Sequence, residues 1–247
     1  MMPYSLIVAD VHLQPEQDHP INQAFKQFMT EDAPKAESLY ILGDLFEMWA
    51  GDDIGLIQYA PIIKLFKTLT DQGTPIYLQY GNRDFLMGKA FWKATGITRL
   101  KDVHKVTLYG KDYLMLHGDS LCTDDKGYQR MRSVFRNPVV KWIFLHLCKK
   151  RRLFIGQKMR QNSKSHSQNK PDYIMDINQQ AMCELFKKHQ SVRHMIHGHT
   201  HRPAHHTIEA QHTTLNRWVL GDWQAQGSPT SQIIKVSQIG PELLDYH

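Results

Sequence analysis

Asp10-Val11-His12, Gly43-Asp44, Gly81-Asn82-Arg83-Asp84, His117-Gly118-Asp119 and His197-Gly198-His199 hold the residue types that could do chemistry in this chain. Asp10, His12, Asp44, Asn82, His117, His197 and His199 offer seven oxygen or nitrogen donors. A lone Asp-x-His is ordinary at a strand end, where alternate side chains point into one cleft. Seven such donors in one place have no core role, because burying polar groups without partners is costly. Carboxylate, imidazole and amide donors without thiolate suit Mn²⁺, Fe or Zn²⁺ better than Mg²⁺ or Ca²⁺. The donor count matches two metal ions sharing one carboxylate, and Asp44, placed between the other donor pairs, is the expected bridge. Two dications against two aspartates leave positive charge that draws in phosphate. Such a pair lowers the pKa of a bridging water and clamps an in-line displacement at phosphorus. The chemistry implied is hydrolysis of a phosphate ester or anhydride.

The elements that must position these donors are short apolar runs: Leu6–Ala9, Leu39–Leu42, Ile76–Tyr80, Tyr113–Leu116 and Met195–Ile196. Each reads as a buried strand. Five strand ends are thus expected to converge, as ligand sites do beyond the carboxyl ends of α/β strands. Helical patterns run around Ile21–Met29 and from Ile54 to Leu69, with Gly73 as a stop. Thr98–Leu108 reads as one strand, turning at Tyr109-Gly110-Lys111 into the next. Asp172 can cap a helix from about Tyr173 to Lys188, followed by strands near Arg193–Ile196, Ala204–Ile208, Arg217–Leu220 and Gln232–Val236. Two sheets face to face, with helices outside, accommodate this order better than one open sheet. At 247 residues and 41% hydrophobic content, one large domain over residues 1–247 is expected.

Charge is uneven. Between Lys126 and Lys170 there are thirteen Lys and Arg and no acid, so subtracting +13 from the net +6 leaves the rest of the chain at −7. This basic stretch, about 126–170, reads as a helical insertion that meets something anionic. Within it, Pro138–Cys148 is apolar and too short to span a bilayer, and it runs directly into Lys149-Lys150-Arg151-Arg152. That pattern suits interfacial binding to anionic lipid, or a chute for two acyl chains. Three cysteines without metal-type spacing suit free thiols in a reducing compartment. No secretory signal or membrane-spanning run is visible, so the cytosolic side is expected.

The five motifs resemble those of the calcineurin-like metallophosphoesterases: Asp-x-His, Gly-Asp, Gly-Asn-His-Asp/Glu, His and Gly-His-x-His. The implied fold is a four-layer α/β/β/α sandwich of two mixed sheets. One departure is informative, since Arg83 stands where many relatives have a histidine that protonates an alkoxide leaving group. A phosphate leaving group needs little such help, and a guanidinium fork that grips a second phosphate is then more useful. The longer matches Gly43–Glu47, Gly51–Asp53, Gly81–Leu86, Leu121–Asp125 and His197–Pro203 resemble the UDP-2,3-diacylglucosamine pyrophosphatase family of Gram-negative lipid A synthesis.

In that family water attacks the α-phosphorus, releasing UMP and 2,3-diacylglucosamine 1-phosphate, usually with two Mn²⁺ ions. The resemblance assigns one ion to Asp10, His12, Asp44 and His199, and the other to Asp44, Asn82, His117 and His197. It makes Asp44, Asn82, Arg83 and His197 catalytic, and Asn82, Arg83, Asp125, Ser163, Ser167, Lys170 and His197 substrate contacts; Ser167 replaces a common Asn. It turns the insertion into a lid over glucosamine and acyl chains. It implies a peripheral protein on the cytoplasmic side of the inner membrane, meeting its anionic lipid surface, with no nucleic acid and no obligate protein partner. The alternatives are another dinuclear phosphodiesterase or nuclease, which would benefit from the missing histidine, and a non-catalytic module, which should have lost ligands. His194 and His201 flank the motifs, and Asp84, Asp119 or Asp222 could orient a ligand imidazole or Arg83.

Overall fold

The structure, a computed structural model, describes residues 2–168, 172–210, 213–224 and 231–246, with side chains at 162–173, 210 and 231 outside the description. The first half runs β1 (Tyr4–Val8), α1 (Pro20–Glu31), β2 (Ser38–Ile41), α2 (Asp52–Gln58), α3 (Ala60–Asp71), β3 (Ile76–Leu78), α4 (Lys89–Thr95) and β4 (Thr98–Arg99). Then come β5 (Val103–Leu108), β6 (Lys111–Leu116), α5 (Lys126–Arg136), α6 (Pro138–His146), α7 (Lys149–Gln168), α8 (Asp172–Met175) and α9 (Gln179–Lys188). Strands β7 (His194–His197), β8 (Ala204–Ala210), β9 (Thr213–Val219), β10 (Ser231–Ser237) and β11 (Pro241–Tyr246) complete the chain.

Two mixed sheets result, in the orders β11-β10-β1-β2-β3-β4 and β5-β6-β7-β9-β8. β1 to β4 are parallel, as are β6, β7 and β9, while antiparallel strands flank each set. The side-chain period of two in a strand makes the layers. From β1, Leu6 and Val8 enter the core shared with Phe25, Phe28 and Phe66 of α1 and α3, while Ile7 faces the inter-sheet core with Tyr40, Tyr113 and Ile196. From β6, Leu114 and Leu116 pack on Met182 and Phe186 of α9. This is the expected α/β/β/α sandwich.

Three expected elements are divided. The run 98–108 serves both sheets: β4 pairs with β3, and β5 pairs with β6. Buried Gln79 stitches the crossing by donating from Nε2 to Lys101 O (2.7 Å) and Met115 O (2.8 Å). The helix at 54–69 breaks at Tyr59 just before Pro61, which lacks an N–H to continue it. The helix at 173–188 breaks because Asp176 binds its neighbour's N–H (2.7 Å) and Asn178 caps a new start on Ala181 N (2.9 Å). The β5–β6 turn is as expected, with Tyr109 and Gly110 both at positive φ, the geometry of a two-residue primed turn.

The insertion between β6 and β7 is helical, and its helices are punctuated by Asp125 capping α5 on Tyr128 N (3.0 Å) and by Asn137-Pro138 opening α6. Neither α5 nor α6 contains a buried residue. The cations partly answer to acids of the chain itself. Arg132 and Arg136 bind Asp102 and Asp119, Arg160 binds Glu47, and Arg152 grips Asp53 through Nη1 (2.8 Å) and Nη2 (2.6 Å). Arg152 is only 3% exposed, so the four-cation run does not face outward as a block. Among the described side chains Lys149 pairs with Asp53 as well, so five of the segment's cations meet internal carboxylates and only part of its charge is left for an external anion.

Candidate metal centre

Each motif begins within a few residues of the C-terminal end of a parallel strand: Asp10 after β1, Asp44 after β2, Asn82 after β3, His117 after β6, and His197 ending β7. The turns are pinned to one another by Asp10 N to Gly43 O (3.1 Å), His12 N to Asp44 O (3.0 Å) and Gly198 N to His117 O (2.9 Å). Of six non-glycine residues at positive φ among the described residues, five are Asp10, His12, Asp44, His199 and His201. Such conformations cost about 1–3 kcal/mol each and persist where surrounding structure enforces them. Strain is concentrated at this site.

Two glycines allow the turns to approach. A Cβ at Gly81 would lie 2.0 Å from Asp44 Oδ1 and 2.3 Å from Asp44 N, and one at Gly198 would lie 2.1 Å from Asp10 Oδ2. Asp84, fully buried, accepts from Gly81 N (2.7 Å) and Leu45 N (2.8 Å), so it braces the Asn82 turn against the Asp44 turn. It orients neither an imidazole nor the Arg83 guanidinium.

Asp10, Asp44 and His117 place one donor atom each within 4.8 Å of one another, as do Asp10, His12 and His201. Asp10 is common to the two groups, and Asp44 sits beside Arg83, whose Nε is 3.6 Å from its Oδ2. His117 Nδ1 donates to the Leu42 carbonyl (2.8 Å), which aims Nε2 at Asn82 Oδ1 (3.0 Å) and Asp44 Oδ1 (3.8 Å); burial opposes its protonation, but the Asp44 and Asp10 carboxylates raise its pKa above the usual imidazole range. His199 anchors through its backbone, donating to Asp10 Oδ2 (2.7 Å), and its ring centre lies 4.9 Å from that of His117. His197 is fully buried but stands in neither group; its Nε2 accepts from Arg217 Nε (2.9 Å), and Arg217 is held by Asp176.

This donor set fits metal. Asp10 Oδ1 and both ring nitrogens of His12 are buried without a hydrogen bond, His201 Nε2 standing 3.3 Å from Asp10 Oδ1. Orphaned atoms of this kind call for a partner. Burial, then the nearby Arg83 charge, holds His12 well below the usual imidazole range. Burial and then Arg217 lower His197 to about 3, while burial and then His117 lower His199 to about 4. His12, His197 and His199 are therefore neutral at ordinary pH, the form that binds metal, but in His197 the Nε2 lone pair is already taken by Arg217 and Nδ1 donates to the Gly198 carbonyl. Burial opposes ionisation of Asp10, yet His201, His117 and His12 hold it well below the carboxylate range.

The other expected contacts are dispersed. Arg83 Nη1 donates to Glu47, with the Arg83 side chain 29% exposed toward solvent. Asp125 caps α5. Ser163 and Ser167 are on α7 with side chains outside the described residues, and Lys170 lies outside them altogether. Residues not singled out as site members also enter: Glu47 joins Arg83, Arg160 and His12, and Tyr128 donates to Asp119 (2.9 Å) with its ring 5.7 Å from that of His199. His201, noted from the sequence as flanking the last motif in the alternation His197-x-His199-x-His201, stands against Asp10. Glu47 lies in the Gly43–Glu47 stretch, but its role, like that of Arg217, depends on partners from distant segments, and nothing in the local sequence singles out Tyr128.

A family model for calcineurin-like phosphoesterases matches residues 5–203. The UDP-2,3-diacylglucosamine hydrolase of Edwardsiella ictaluri is 43% identical over 98% of this chain and 91% of its own length. That of Yersinia enterocolitica is 44% identical over 98% of both chains. With two mixed sheets, donors at five strand ends and likeness along nearly its whole length, the chain belongs to the calcineurin-like phosphoesterases, in the family of the UDP-2,3-diacylglucosamine hydrolases.

Proposed function

We propose that the chain hydrolyses the diphosphate of UDP-2,3-diacylglucosamine at the α-phosphorus, giving UMP and 2,3-diacylglucosamine 1-phosphate in lipid A synthesis. The observation that carries this reading is continuity: one cavity is lined at Asn82, Arg83 and Glu47 by the donor turns, by Arg132, Arg136, Lys141 and Arg160 of the insertion, and over most of its wall by apolar groups such as Trp49, Phe85, Leu86, Met131, Phe135, Val140, Phe144 and Met159. A phosphate-cleaving centre leading into an apolar chamber fits a substrate that is a diphosphate at one end and acyl chains at the other. The helices α5 to α7 act as the lid of this chamber.

Asp10, His12, Asp44 and His199 would hold one ion, and Asp44, Asn82, His117 and His197 the other. Mn²⁺ is the proposed metal, and bound there it supplies an activated water and charge neutralisation at phosphorus. The chain's own groups do the rest. Leu42 O fixes the His117 tautomer, Asp84 sets the spacing of the Asn82 and Asp44 turns, and Arg83 presents a guanidinium to the diphosphate. No protonating histidine stands at position 83, which suits departure of a phosphate rather than an alkoxide. Asp125, Ser163, Ser167 and Lys170 would meet the nucleotide sugar from the lid.

The protein would work on the cytoplasmic face of the inner membrane. No helix among the described residues is long and apolar enough to cross a bilayer. Val139 (62% exposed), Trp142 (61%) and Phe154 (66%) project from the lid beside exposed Lys150 and Arg151, the mix of apolar and basic groups that lies on anionic lipid. A nucleic-acid partner is disfavoured, because Arg132, Arg136, Arg152 and Arg160 turn onto acids instead of forming an open basic track. Incubation of purified protein with UDP-2,3-diacylglucosamine and Mn²⁺ is expected to release UMP. An intact substrate after prolonged incubation with metal-loaded protein would overturn the reading.

A further inference from the structure

Glu47 has no place in the donor set, yet it is 7% exposed at the mouth of the cavity. Its Oε1 binds both Arg83 Nη1, from the turn after β3, and Arg160 Nε, from the lid helix α7. Its Oε2 lies 3.5 Å from His12 Nδ1. Both arginines line the cavity, with side chains 29% and 49% exposed. Among the described residues, the ion pairs of Asp53, Asp102 and Asp119 are with arginines and lysines of the insertion, whereas Glu47 joins an arginine of the sandwich to one of the lid.

A single buried carboxylate with two guanidiniums leaves one net positive charge facing the chamber. It also removes the rotational freedom that an arginine on an exposed helix would otherwise lose on meeting an anion. Two forks held together match the oxygens of one phosphate better than two free arms do.

We propose that Glu47 is a positioning residue: it holds the Arg83 and Arg160 guanidiniums side by side as one fork for the phosphate that departs with the lipid. It thereby makes seating of α7 a condition for recognising a diphosphate rather than a single phosphate ester. This rests on the reading of the site as a diphosphate hydrolase.

The test compares wild type, Glu47→Gln, Arg160→Ala and the double variant on UDP-2,3-diacylglucosamine and on bis(p-nitrophenyl) phosphate, with bound Mn²⁺ counted for each. Glu47→Gln is expected to raise KM for the lipid diphosphate about tenfold, or about 1.4 kcal/mol, with kcat changed far less. The aryl diester should be hydrolysed as by wild type, and metal content should be unchanged. Arg160→Ala should give a similar rise, and the double variant should be no worse than either alone. Additive effects, equal losses on both substrates, or loss of metal from Glu47→Gln would each overturn the inference while leaving the diphosphatase reading intact. Failure of the wild type to cleave the lipid diphosphate would remove that reading, and this inference with it.

Discussion

Replacing Gly81 by alanine tests the packing on which the metal centre depends. The added methyl would sit 2.3 Å from the backbone nitrogen of Asp44 and 2.0 Å from its Oδ1. A side chain can rotate away; a backbone nitrogen whose turn is tied to β1 through Asp10 N to Gly43 O and His12 N to Asp44 O cannot. The two turns must separate by roughly 0.7 Å to restore a 3.0 Å contact, and overpacking of this kind costs about 1–3 kcal/mol. For a chain of this size that is a fall of about 2–12 °C in Tm. Catalysis should suffer more, because Asp44 is the ligand proposed to be shared by both ions and a 1 Å misplacement costs about 10²-fold. Thermal melts with and without Mn²⁺, elemental metal counts and kcat/KM on UDP-2,3-diacylglucosamine measure the three effects. Gly127→Ala is the control, since its Cβ meets only Asp125 Oδ1 at 3.6 Å on an α5 helix that alanine favours. A Gly81→Ala protein with full metal content and wild-type turnover would refute the claim that close approach of these turns sets the ligand geometry.

Further outcomes follow from the same geometry. Arg83→His should lower kcat/KM for the lipid diphosphate by about 10²-fold or more, having removed a charge-assisted fork, while an aryl phosphodiester is spared; equal losses on both would remove the assigned role. Lys150→Glu with Arg151→Glu should weaken binding to phosphatidylglycerol vesicles by at least about 10²-fold, each basic residue near an anionic surface being worth about 1 kcal/mol, and unchanged flotation would reject the membrane contact. In Asp119, burial opposes ionisation, but His117, Arg132, His199 and Arg136 hold its carboxyl below its ordinary 3.8. The stability it contributes to the α5 anchor is therefore complete above about pH 4 and is lost as pH falls through the lower folded value. Asp119→Asn should lower Tm at pH 7 and narrow the gap to wild type as pH approaches 3; a gap independent of pH would show that the charge plays no part.

The sandwich and its donors were legible because each motif directly follows a buried apolar run, so that strand and ligand are read together. The insertion was legible from its charge. What escaped depends on partners far along the chain. Gln79 bridges Lys101 and Met115 and thereby divides the 98–108 run between sheets, and no local period records that. Arg152 reads as one of four solvated cations until Asp53 and the Ala50 carbonyl turn it inward. β11 was missed because Pro241, Glu242 and Asp245 mask a sheet edge that proteins commonly blunt in this way. Glu47 sits in a motif stretch, but its work is defined by Arg160, more than a hundred residues later.

The central claim is that paired metal ions at these strand ends direct water onto the uridine-side phosphorus. Chelator-stripped protein, reloaded stepwise with Mn²⁺, should be incubated with UDP-2,3-diacylglucosamine in ¹⁸O-water and the products weighed by mass spectrometry. The account predicts no turnover without metal, activity saturating at two ions per chain, and a single ¹⁸O in UMP. Label in the diacylglucosamine phosphate instead, or undiminished turnover by the stripped protein, would contradict it.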